Sequence, residues 1–179
     1  LGFAIAIVLS LLVAPTGFVE LSVARWLHIL SGIMWIGLLY YFNVVQIPAL
    51  ATAAADQGGP GGAGITKYVA PRALWWFRWA ALATWLTGAW YLGSNFLNAF
   101  LLADGLKVIG IGAWLGTIML LNVWGVIWPN QKKALGIVAA TDEEKAKARR
   151  IAMLASRTNF VLSIPMLLCM GSQSHGLPF

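Results

Sequence analysis

Three largely apolar runs, Ser22–Gln46, Ala73–Ser94 and Gly105–Trp128, constrain this chain more than anything else in it. Each reaches the roughly 20 residues that a helix needs to cross the hydrocarbon core of a bilayer. A fourth run, Thr158–His175, is shorter and carries Pro165, yet reads the same way. The apolar start, residues 1–14, is long enough only if it enters tilted or continues a longer segment. No water-soluble fold hides this much apolar length with so little charge. Only 10% of residues are charged, where soluble domains carry roughly 25%. A disordered chain needs the opposite balance. The runs lack the alternation of barrel strands, which leaves helices as the spanning form. The expected fold is therefore an all-α integral membrane protein, a single domain over residues 1–179. It is a bundle of four to five transmembrane helices, with spans at 1–14, 22–46, 73–94, 105–128 and 158–175.

The connections on one side are residues 47–72 and 129–157. Seven of the twelve basic residues fall in the second: Lys132, Lys133, Lys145, Lys147, Arg149, Arg150 and Arg157. Basic loops stay in the cytoplasm, so both connections are expected there and the C-terminus outside. The net charge of +6 records orientation rather than nucleic-acid binding, because the aromatic residues sit inside apolar runs and form no visible stacking platform. The Gly-rich stretch 54–64 reads as a mobile linker. Thr141 and Glu144 have capping-box spacing, so a helix is expected to start there. With Ile151, Leu154 and Ala155 at helical spacing, it reads as one cytoplasmic surface helix on the inner leaflet, or as a docking site for another subunit. Gly112 and Gly116, and the repeat Ala80, Thr84, Gly88, mark faces where helices approach closely.

Ionisable groups inside spans are costly and are functional candidates by default. His28, Lys107 and His175 fall at the outer ends of three different spans, and the only two histidines are among them. Gly32 lies one turn inward of His28, and Gly171 one turn inward of His175. A histidine-ligated macrocycle needs such a cleared wall, and Trp35 and Trp114 could line it. His28 and His175 as iron ligands of a haem b is the sharp reading. The plainer one is helix-end histidines bonded to backbone or facing headgroups, with Lys107 snorkelling. A zinc or copper site is less well supplied, since Asp104 is the only added donor. Asn122 reads as an interhelical hydrogen-bond donor, Arg25 and Trp26 as interface anchors, and Cys169 as a small core residue. A single cysteine excludes a disulfide framework, a multi-cysteine zinc site and a CxxCH haem attachment.

The segments Arg25–Gln46 (RWLHILSGIMWIGLLYYFNVVQ), Ile111–Lys133 (IGAWLGTIMLLNVWGVIWPNQKK) and Ser156–His175 (SRTNFVLSIPMLLCMGSQSH) resemble the membrane domain of the PuuD-type bacterial urate hydroxylases, the urate oxidase N-terminal domain. That resemblance implies a multi-pass protein of the bacterial inner membrane, with a periplasmic C-terminus, that hydroxylates urate and passes electrons to a fused c-type cytochrome. His28 corresponds to the histidine of the first motif. His175 corresponds inexactly to that of the last, because Ser172-Gln173-Ser174 precedes it where the family has Ser-Asn. No cytochrome motif is present here. The expectation is a haem b-bearing electron-transfer module working beside other membrane subunits and a separate cytochrome. The alternatives are a non-catalytic accessory subunit of a respiratory or photosynthetic complex, and a urate hydroxylase.

Overall fold

The computed structural model describes residues 1–13 and 19–178. Every regular element among them is helical. Helix α1 is Gly2–Val13, α2 Glu20–Ala55, α3 Ala70–Leu92, α4 Phe96–Phe100, α5 Lys107–Ala134 and α6 Asp142–His175. Three of these, α2, α5 and α6, are long and apolar enough to cross a membrane. Helix α3 has 23 residues, about 34 Å at 1.5 Å per residue, but five tryptophans and two arginines lower its hydropathy. Helix α1 has 12 residues, none buried, and touches α2 where the Phe3 and Trp26 rings meet edge to face at 5.3 Å. Residue 14, the end of the first expected span, lies outside the described residues.

The four long helices run antiparallel in two tight pairs, α2 on α3 and α5 on α6. At one end Trp90 Nε1 donates to Glu20 Oε1 at 2.7 Å, and Gln173 bridges the Ile109 N–H and the Gly105 carbonyl. The pairs are joined by Trp85 donating to Thr117 at 2.9 Å, Asn43 donating to Ser156 at 2.9 Å, and the Tyr40–Phe160 ring contact at 4.8 Å. The core between them is Trp35, Leu39, Phe42, Leu74, Phe77, Met119, Val123, Ile127 and Met166.

The small-residue faces do what hydrophobicity cannot do between helices in lipid, which is to let backbones approach. Ala80 and Thr84 are buried against α2. A Cβ on Gly112 would lie 3.0 Å from Cys169 Cβ, whereas one on Gly116 would meet nothing within 4 Å. Only the first glycine of that motif sets a close contact. Asn122 Nδ2 donates across the α5–α6 seam to the Ala155 carbonyl and to Asn159 Oδ1, at 2.9 and 2.8 Å. Asn159, fully buried, returns a bond to the Met119 carbonyl at 3.0 Å.

Two features depart from the sequence-based expectation. The segment from Thr141 does not form a separate surface helix. The chain from Asp142 to His175 is one helix of 34 residues, about 51 Å long. No Gly or Pro interrupts residues 142–164. Buried positions Ala148, Ala152, Asn159, Ser163, Met166, Cys169 and Ser172 recur at three-, four- and seven-residue steps as one stripe. The segment expected to lie on the leaflet is therefore the first part of a helix long and apolar enough to cross a membrane, packed on the end of α5. The second departure is a π turn just ahead of three prolines: Tyr41–Gln46 before Pro48, Ile65–Val69 before Pro71, and Val123–Ile127 before Pro129. Proline removes an N–H and crowds the carbonyl four residues back. A π turn, with its i→i+5 bonds, lets that carbonyl find another donor.

Thr141 starts α6 as expected. Its Oγ1 accepts the Glu144 N–H at 3.2 Å while its own N–H donates to Glu144 Oε2 at 2.8 Å. That backbone bond holds the Glu144 carboxyl below the usual carboxylate range. A lowered folded pKa stabilises above the unfolded value, and the contribution is lost as pH falls through the folded one. Acidification below about pH 4 is therefore expected to fray the first turn of α6, read as lower protection of the Glu144 and Lys145 amides relative to their intrinsic exchange at the same pH, with residues 159–172 unaffected. Unchanged protection at those two amides would remove the capping box as the cause.

Candidate functional site

His28 lies on α2 about 12 Å along the helix from Glu20, half-buried against α3. Its Nδ1 is 2.8 Å from the Thr84 carbonyl oxygen. A carbonyl only accepts, so Nδ1 carries the proton and donates it. In the neutral ring the lone pair is then on Nε2, to which no described residue donates a hydrogen bond. This arrangement, with one ring nitrogen anchored to a backbone carbonyl, fixes tautomer and orientation in metal-ligating histidines.

Gly88 makes the arrangement possible. A Cβ there would lie 2.9 Å from His28 Cε1 and 3.0 Å from Nδ1, closer than side-chain carbons pack. The glycine sits one turn beyond Thr84, so the helix that supplies the acceptor also supplies the flat surface under the ring. The Ala80, Thr84, Gly88 repeat marks this face in the sequence as a packing face. Its second use, seating an imidazole, becomes visible only once α2 and α3 are paired in this register.

The other expected site residues fall as follows. His175 is exposed at the end of α6, and Lys107 is exposed at the start of α5, where it pairs with Asp104 at 2.7 Å. Both belong to the α5–α6 pair, whereas His28 belongs to the α2–α3 pair. All three are toward the same end of the bundle, but no described polar contact joins them. Lys107, Ser172 and Gln173 line a shallow surface hollow of about 410 Å³ at that end. Gly32 faces the Thr84 methyl, 3.7 Å from where its Cβ would be, so it makes room for α3 rather than for a macrocycle. Gly171 is exposed and would meet nothing within 4 Å. Trp35 is 2% exposed and part of the core, not of an outer wall. Its indole N–H is buried without an acceptor among the described residues. Trp114 is exposed and donates to the Phe100 carbonyl at 2.9 Å.

Among the described residues no cluster of three or more His, Cys, Asp or Glu side chains could hold a metal. An axial haem ligand needs only one oriented imidazole, which His28 provides.

Comparison with known proteins gives one match. The family model described as urate oxidase N-terminal matches residues 90–179, half of the chain. The match takes in α5, α6, Lys107, Asn122, Asn159 and His175, and leaves His28 outside it. Neither the curated proteins nor the solved structures yield a significant match. The chain belongs to the urate oxidase N-terminal family.

Proposed function

We propose that the chain is the membrane module of a PuuD-like redox protein, carrying a haem b whose iron is ligated by His28 Nε2, with His175 as the second donor. The observation that carries this reading is the 2.8 Å bond from His28 Nδ1 to the Thr84 carbonyl over Gly88, which leaves the Nε2 lone pair without a hydrogen-bond partner among the described residues. The haem would supply one-electron transfer. The protein's part is to hold the imidazole in one tautomer and to supply a low-dielectric surrounding. The electron partner is a cytochrome or oxidase subunit on the outer face. Purified, folded chain should show a Soret band that moves on dithionite reduction. Folded chain that is colourless after expression with ample haem would remove the proposal.

In this reading α2, α3, α5 and α6 all cross the bacterial inner membrane, with the seven basic residues between Asn130 and Arg157 held in the cytoplasm. Asp104, with a side chain 97% exposed, marks the outer side, and Ala146, also exposed, the inner. In a Cys169→Ser background, Asp104→Cys should label with an impermeant maleimide on intact cells, and Ala146→Cys only after lysis. Labelling of Ala146→Cys from outside would put His28 on the cytoplasmic side and an external cytochrome out of reach.

A further inference from the structure

At the opposite end of the bundle, Arg78 on α3 stacks on Trp128 of α5, its Cζ 3.8 Å from the ring centroid. Lys132 Nζ lies 5.8 Å from the same ring. The Arg78 side chain is half-buried, yet no described carboxylate pairs with it and no described acceptor takes any of its five N–H donors. Three of the four acidic side chains at this end are engaged elsewhere, and the fourth, Glu143, is exposed at the start of α6 and makes no described ion pair with Arg78. Asp142 pairs with Lys145 at 3.3 Å, Glu144 caps Thr141, and Asp56 accepts from the Gly58 N–H at 3.2 Å. On the reading that α3 crosses the membrane, Arg78, about 12 Å along the helix from its first residue, falls near where a lipid headgroup meets hydrocarbon. An arginine at that depth is tolerated when it reaches a phosphate or a counter-charge. The planar guanidinium is the group that grips phosphate oxygens two at a time, and the indole face holds it in place.

We propose that Arg78, braced by Trp128 and assisted by Lys132, binds the phosphate of an anionic lipid headgroup between the inner ends of α3 and α5. The surplus of positive charge at this end selects an anionic lipid over a zwitterionic one. This site is independent of the haem reading and of its test.

Thermal unfolding of the detergent-purified chain tests it. Phosphatidylglycerol at hundredfold excess over its dissociation constant should raise the midpoint by about 5 °C or more, and phosphatidylcholine should not. Arg78→Gln should abolish the rise, Arg78→Lys should keep part of it, and Lys147→Gln, an exposed charge away from the ring, should keep all of it. If Arg78→Gln is not recovered folded, Trp128→Leu and Lys132→Gln should each weaken binding several-fold. A full rise in Arg78→Gln, or in the folded Trp128→Leu and Lys132→Gln pair, overturns the proposal. An equal loss in Lys147→Gln also overturns it, since the attraction is then diffuse. A rise produced by inorganic phosphate alone assigns the anion to a soluble phosphate and overturns the lipid.

Discussion

Gly88→Val is expected to drive the His28 ring off the Thr84 carbonyl and to loosen the α2–α3 pair. A first carbon at that position already falls 2.9 Å from Cε1, and the two valine methyls deepen the clash. The ring must swing out or the helices must part. Either loses one hydrogen bond, about 1 kcal/mol net, and adds overpacking of about 1–3 kcal/mol. A total near 2–4 kcal/mol should appear in denaturant unfolding. Nitrogen NMR of the histidine should show the Nδ1-protonated form give way to a mixture. Gly88→Ala should fall between wild type and Gly88→Val in both measurements. Wild-type stability and tautomer in Gly88→Val would mean that the glycine is incidental to the site.

The second large effect is expected on the other pair. Asn159→Leu removes the bond to the Met119 carbonyl and the acceptor for Asn122. Each interhelical bond in a membrane protein is worth about 0.6–1.7 kcal/mol. Asn159 is fully buried, so water cannot replace what is lost and the larger leucine must be fitted in. A loss of about 2–4 kcal/mol follows. Asn122→Leu also removes two bonds but should cost less, because Asn122 is only half-buried. The double variant should fall short of the sum of the two, since one bond is counted in both. Strict additivity would show that the two amides do not act on one another.

Much of this was legible in the residues, and the reasons are local. Apolar length marked α2 and α5 clearly, because a bilayer sets a minimum that few other folds imitate, and α6 less so, since 158–175 is short and carries Pro165. Thr141 and Glu144 marked the start of α6, because a capping box is written within four residues. Asn122 was marked as a cross-helix donor by being polar where lipid would otherwise surround it. What was not legible depends on register between helices. Nothing in the neighbourhood of Gly32 says that it meets Thr84, or that Gly88 rather than Gly32 borders His28. Asn159 falls at the start of the expected span 158–175, but its partners Met119 and Asn122 lie on another helix, so its bond across the seam is set by register between helices. The first part of α6 read as a separate leaflet helix because charge there suggested a surface. Its stripe of Ala148 and Ala152 is too small to register as hydrophobic. The π turns before Pro48, Pro71 and Pro129 were foreseeable as proline defects, but proline alone does not choose between a kink and a π turn.

The central claim is that His28 holds a haem iron through Nε2, and imidazole rescue tests it most directly. His28→Ala chain, shown by circular dichroism and size exclusion to keep its helices and its monodispersity, is compared with wild type before and after addition of free imidazole. The account predicts a Soret band in wild type, its loss in His28→Ala, and its return when imidazole fills the space beside Gly88. A Soret band in His28→Ala identical to that of wild type, with no response to imidazole, would contradict it.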